Sequence, residues 1–120
     1  MRFLAKNELS AYLNKNKCVE YFLGFSKENN LETLHWVSIE RDGEEFIAYY
    51  HYVYDESDKG VASAYDYPYV EPDDIDGLEL EIFDTLSEAI KFLEDEYECT
   101  EDEFFLEGQL DNALNEFSKE

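Results

Sequence analysis

Positive charge is scarce in this 120-residue chain: nine lysines and arginines face 31 aspartates and glutamates. Phosphate recognition needs concentrated Lys and Arg, so this balance argues strongly against a nucleic-acid ligand, and an anionic membrane surface is disfavoured on the same ground. Cysteine is nearly absent. Cys18 and Cys99 stand alone, without a CxxC or a zinc spacing, and are expected as free thiols in a reducing compartment; the alternative is a single Cys18–Cys99 disulfide. No window approaches the ~20 apolar residues of a membrane span. The N-terminal MRFLAKNELSAYL has no long apolar stretch ahead of its charges, which speaks against a secretory signal. A soluble, cytoplasmic protein is expected. Gly-rich phosphate loops, GxSxG elbows, repeats and low-complexity linkers are missing as well.

What is present describes a folded protein with one abnormal property. Hydrophobic residues make up 44% and aromatics 17%, including ten Tyr and nine Phe, which is too apolar for an acidic disordered tail. The length suits one domain, residues 1–120, able to bury a core without disulfides or metals. The abnormal property is a net charge of −22. Residues 1–60 carry seven Lys/Arg against eleven Asp/Glu; residues 61–120 carry Lys91 and Lys119 against twenty acids. Self-repulsion on this scale is tolerated for solubility or used to attract a partner.

The apolar spacing predicts an α+β domain. AKNELSAYLNKNK reads as a first helix with Asn7 as N-cap. CVEYFLGFS alternates as a strand with Val19, Tyr21, Leu23 and Phe25 on one face. LETLHWVSIE and EEFIAYYHYVY follow, joined by the hairpin signal Asp42-Gly43. The second of these is apolar on both faces, as a central strand is. VASAYDYPY is expected as an edge strand paired with it, bringing Tyr50, Tyr52, Tyr65 and Tyr67 onto one face. LELEIF adds a short acidic strand. A capping box at Thr85/Glu88 opens one helix, and the same pattern at Thr100/Glu103 is expected to open another with the stripe Leu106, Leu110, Ala113, Leu114 and Phe117. The sum is a mainly antiparallel sheet of four to five strands, with one N-terminal and two C-terminal helices packed on one face.

Candidate chemistry is thin. His35 and His51 are the two histidines, and no Ser, Cys or carboxylate stands at a spacing that makes a triad readable. Both are expected in or beside the core. DDIDGLELE imitates a calcium loop, with Asp74 and Asp76 at the third and fifth positions when Gly77 is sixth; Pro72 and Phe83 then occupy the first and twelfth positions, where ligands belong. A solvated acidic loop is the better account. With 31 acids, paired carboxylates arise by chance and point to no glycosidase. No enzyme activity, cofactor or metal is expected.

Charge and aromatic character point instead to a protein partner. EDEYECTEDEFFLE concentrates Glu94, Asp95, Glu98, Glu101 and Asp102 around Tyr97 and Phe104, without a basic counterweight. A second candidate surface joins Tyr52, Tyr65 and Tyr67 with Asp55, Glu56, Asp58 and Asp66. Carboxylates accelerate encounter with a basic protein, and aromatic anchors slow its departure. In FDTLSEAIKFLEDEYECTEDEFF and AYYHYVYDES, and in overall character along the whole chain, the sequence resembles immunity proteins of bacterial polymorphic-toxin and contact-dependent growth inhibition systems. The resemblance implies a non-enzymatic inhibitor that covers a cognate toxin domain, often a basic nuclease. Two other readings fit the same charge: a nucleic-acid mimic that inhibits a host or phage DNA-binding protein, and an acidic housekeeping domain kept soluble by its charge.

Overall fold

In the computed structural model, which describes residues 2–74 and 76–117, a five-stranded antiparallel sheet is sandwiched between two layers. Helix α1 (Lys6–Asn14) precedes the three long strands β1 (Val19–Glu28), β2 (Leu31–Asp42) and β3 (Glu45–Tyr54). Strand β4 (Leu78–Phe83), helix α2 (Leu86–Tyr97), the two-residue β5 (Phe105–Leu106) and helix α3 (Leu110–Phe117) complete the order. In space the strands run β4-β3-β2-β1-β5. The expected α+β class and the helix count are observed.

One face of the sheet is a conventional apolar core. Val19, Val37, Ile39 and Ala48 meet Leu9 and Leu13 of α1 and Ala89, Ile90 and Leu93 of α2, all buried. Alternation along each strand places these residues on one side. The opposite face receives α3 and the segment 61–70: Leu34, Trp36 and Val53 pack with Ala64, Tyr67, Leu110 and Ala113. The expected one-sided packing of the helices is therefore corrected, and β3 is covered on both sides, as its two apolar faces require.

Four local expectations also change. Helix α1 is capped at Ala5 rather than Asn7, because the Glu8 carboxylate reaches back to accept from the Ala5 N–H at 2.9 Å. Strand β1 slips register between Phe22 and Gly24, where Gly24 adopts φ +146°. That bulge turns Phe25 to the face opposite Val19 and Tyr21. Residues 61–69 form no strand: a 3₁₀ turn at Ala64–Asp66 and a single bridge, Val53 to Tyr69, replace it, and β4 takes the place beside β3. Pro68 lacks the N–H that a continuous ladder needs, and Ser63 caps the turn by accepting from the Tyr65 N–H. Finally, Thr100 opens only a 3₁₀ turn at Glu101–Glu103, after which β5 pairs with β1 and α3 starts at Leu110. Gly108 at φ +91° makes the turn between β5 and α3.

Candidate functional site

The two surfaces expected from sequence fare differently. At the end of α2, Glu94, Asp95, Glu98 and Asp102 are exposed and Glu101 is half-buried; Glu94, Glu101 and Asp102 line a shallow depression of about 440 Å³ that also includes Lys6. Of their aromatic companions, Phe104 is lost to the core and Tyr97 is half-buried. Phe104 is fully buried in the first core, with the Tyr21 ring edge-on at 5.1 Å. Tyr97 stacks on Tyr50 at 5.6 Å. Phe104 is thus a core residue and not an anchor: its neighbour Phe105 enters β5 on the other face, so both rings of the Phe104-Phe105 pair are swallowed. Lys91–Asp95 at 3.3 Å and Lys6–Glu101 at 3.5 Å neutralise part of this surface.

The second expected surface is split by the sheet. Tyr52 neighbours Val53 on β3 and so points to the other side from Val53, Tyr65 and Tyr67. The Tyr52 hydroxyl donates to Glu28 at 3.1 Å. Tyr67, 7% exposed, packs into the second core and reaches the surface only as part of the wall of the groove beside Asp55. The expected ladder of Tyr50, Tyr52, Tyr65 and Tyr67 does not exist, because the segment that was to pair with β3 crosses over it instead.

Asp55, Glu56 and Asp58 do sit together, on the loop leaving β3. They border two adjoining grooves that share Asp55, of about 380 and 300 Å³. Phe25, Leu34, Val61 and Leu114 line the first. Beside it the Phe22 ring lies 5.1 Å from Phe25 and 5.3 Å from Phe117. Phe25 is 45% exposed, Phe117 37% and, in the second groove, Leu31 54%. This pairing of apolar rings with carboxylates was missed in the sequence for Phe25, whose outward turn depends on the β1 bulge. Lys59 pairs with Glu56 at 2.9 Å and also feels the charge of Asp58, whereas Asp66 forms no ion pair with a described lysine or arginine.

A third site was not expected at all. Where α3 and the 61–70 segment stop short, the second sheet face opens as a cleft of about 480 Å³ lined by Cys18, Glu20, Ser38, Glu40, His51 and Tyr65, among others. Adjacent strands bring Ser38 and His51 together: Oγ and Nε2 are 2.8 Å apart, and Nδ1 is 2.8 Å from the Tyr69 hydroxyl. The imidazole lies flat on Trp36, with centroids 4.8 Å apart and planes 8° apart. Gly77 closes its other side so tightly that a Cβ there would stand 2.6 Å from Cε1. Burial pushes His51 down to about 4, so the ring is neutral near pH 7.

A serine beside a neutral histidine has the outline of a hydrolytic pair, but the surroundings do not complete one. The partner of Nδ1 is a hydroxyl rather than a carboxylate that would stabilise an imidazolium. The nearby N–H groups of Gly108 and Leu110 both donate to the Tyr65 hydroxyl, at 2.9 and 3.2 Å, and are not free for an oxyanion. Ser38, His51 and Tyr69 satisfy one another in a half-buried layer.

Glu20 is the unusual member. It is 5% exposed, accepts from the Tyr65 hydroxyl at 2.5 Å, and has no ion-pair partner among the described residues. Burial pushes its carboxyl up to about 7, opposed by the Tyr65 hydrogen bond and aided by Glu107. Burial likewise raises Cys18 to about 12, so its thiol is protonated and unreactive near neutrality. Cys18 and Cys99 are both free. Among the described residues no group of three His, Cys, Asp or Glu is arranged to hold a metal ion, and no helix is long and apolar enough to cross a membrane. Ile75, in the calcium-like loop, lies outside the described residues. Comparison with protein-family models, curated proteins and solved structures returns no match for this chain.

Proposed function

We propose that this chain is a non-enzymatic immunity protein that binds and neutralises a basic, nuclease-type toxin domain, and that the Asp55–Asp58 groove is its contact surface. The observation that supports this reading is the exposure of Phe25 and Leu31 in the two grooves that share Asp55, with Phe117 next to Phe25 across the Phe22 ring. Rings and aliphatic side chains left open to water on a chain of charge −22 are what an interface with a cationic partner uses: hydrophobic anchors for lifetime, carboxylates for encounter rate. The carboxylates would occupy the toxin surface that holds phosphates. The α2 end has the charge but has spent its rings on the core, so it steers rather than anchors.

The test is co-purification at moderate salt, followed by calorimetry with the isolated partner. One stoichiometric basic partner is expected, with affinity falling at least about 30-fold for Phe25→Ala and less for Glu94→Lys with Asp95→Lys. If Phe25→Ala and Asp55→Lys leave affinity untouched, the groove is the wrong surface. Retention of several DNA-binding proteins instead of one partner would identify a nucleic-acid mimic, and retention of none a soluble acidic domain.

A further inference from the structure

We propose that the cleft over Glu20 is a receptor for a single organic cation, a guanidinium or ammonium group, with the Glu20 carboxylate as its buried anionic anchor. The cleft stands apart from the Asp55 groove and is independent of what binds there.

Two observations converge on it. Glu20 is a carboxylate at 5% exposure that accepts from the Tyr65 hydroxyl on one oxygen and, among the described residues, meets no lysine or arginine on either. Isolating an anion from water without a counter-charge is costly, and proteins otherwise resolve it by pairing or protonation. The indole Nε1 of Trp36, 2% exposed, is turned toward the same carboxylate and favours its ionised form, but stops short of a well-formed hydrogen bond. A buried donor left unmade is rare and calls for a reason. Ionisation of Glu20 strengthens the acceptor in front of that indole, and a cation in the cleft supplies the missing counter-charge. One binding event answers both.

The cleft is chemically matched to such a guest. Glu40 and Glu107 stand on its walls beside Glu20, Ser38 offers a hydroxyl, and the partly exposed Tyr65 ring offers a face to a cation. Its volume of about 480 Å³ admits the end of an arginine or lysine side chain, or a short polyamine, whose methylene stem can lie on the apolar part of the wall.

Trp36 is the chain's single tryptophan and reports on the site directly, stacked on His51 and edge-on to Tyr65 at 6.3 Å. The experiment is a fluorescence titration of the full chain with N-acetyl-argininamide, a capped side chain, and separately with spermidine, a free polyamine. Saturable quenching is expected, tightening as pH rises through about 7 where Glu20 ionises. The groups facing Glu20 are Tyr65, Trp36, Glu107 and Asp111, with Cys18, Glu40 and His51 across the cleft. Tyr65 and Cys18 are shifted up and His51 down, so none of those three changes charge in that window.

Glu20→Gln keeps an oxygen for the Tyr65 hydroxyl and deletes the charge. It is expected to weaken binding at least about tenfold and to abolish its pH dependence, while Asp84→Asn, an exposed control on the loop before α2, leaves both unchanged. Tighter binding of the capped arginine assigns the site to a protein side chain; tighter binding of spermidine assigns it to free polyamines. Equal affinity in Glu20→Gln, or no saturation with either probe, overturns the proposal.

Discussion

The two faces of the sheet are built on opposite terms. Under α1 and α2, the strands present Val19, Val37, Ile39 and Ala48 to helical Leu, Ile and Ala side chains, and the polar groups of that face, Thr33 and His35, are gathered toward the far end of β2, where they bond to Ser26 and Tyr50. On the other face Glu20, Ser38 and His51 occupy the equivalent alternating positions, held by Tyr65 and Tyr69 beneath an incomplete cover. The first face is stabilised by removing apolar area from water. The second is a network in which each polar group must be satisfied by another, so small changes there are felt as lost hydrogen bonds and shifted protons. A sheet that needs one closed face to fold can leave the other partly open for binding.

The strongest way to probe the closed face is Phe104→Ala. Phe104 is fully buried among Leu4, Leu9, Leu13 and Leu93, so truncation should cost about 3–5 kcal/mol of stability, seen as a lower urea midpoint with an unchanged slope. A loss under about 1 kcal/mol would restore it as a surface anchor.

Next in size is the pH response of Glu20→Gln. Glu20 has a higher pKa folded, about 7, than its ordinary 4.5. Its contribution to stability is therefore complete below about pH 4.5 and is lost as pH rises through 7, in total on the order of 3 kcal/mol. His51 acts the other way: depressed from 6.5 to about 4, it contributes fully above 6.5 and loses that as pH falls. The variant should be more stable than the parent at pH 8 by up to about 3 kcal/mol, with the gain gone at pH 4.5. Thermal melts across that range check both limbs; a pH-independent difference would show that Glu20 is not ionised by unfolding.

Tyr65→Phe removes one hydroxyl that serves Glu20, Gly108 and Leu110 together. A loss of about 1–3 kcal/mol is expected, with faster amide exchange at Leu110, which would lose its acceptor at the start of α3. Gly77→Ala places a Cβ against the His51 ring at a backbone φ of +99°. The cost should be about 1–2 kcal/mol, accompanied by altered Trp36 fluorescence as His51 is pushed from its stack. Smallest of all, Glu94→Gln with Asp95→Asn should change stability by no more than about 0.5 kcal/mol, since both are exposed and the Lys91 pair is a surface one.

Several elements were legible because they depend on near neighbours in the chain. The apolar alternation of β2 and β3, the Asp42-Gly43 turn and the Thr85 cap of α2, which accepts from the Glu88 N–H at 3.2 Å, are local chemistry. The 61–70 segment misled because Tyr65, Tyr67 and Tyr69 alternate like a strand while Pro68 and the Ser63 cap favour turns. The candidate site was least legible. Glu20 reads as an ordinary polar position in a half-exposed strand, and Ser38 and His51 are 13 residues apart, joined only by the β2–β3 register. The faint signal was the alternation Glu20, Phe22 against Val19, Tyr21, which puts a carboxylate and a large ring on the same face.

The sequence by itself determined the α+β class, the three long antiparallel strands and the acidity, because periodicity, turn chemistry and charge are properties of short stretches. Only the tertiary structure decided which rings were spent on the core, that Phe25 faces outward through the β1 bulge, and that Glu20 is buried without a described lysine or arginine beside it. Those outcomes follow from which surfaces happen to cover one another, and coverage is settled by contacts between residues tens of positions apart.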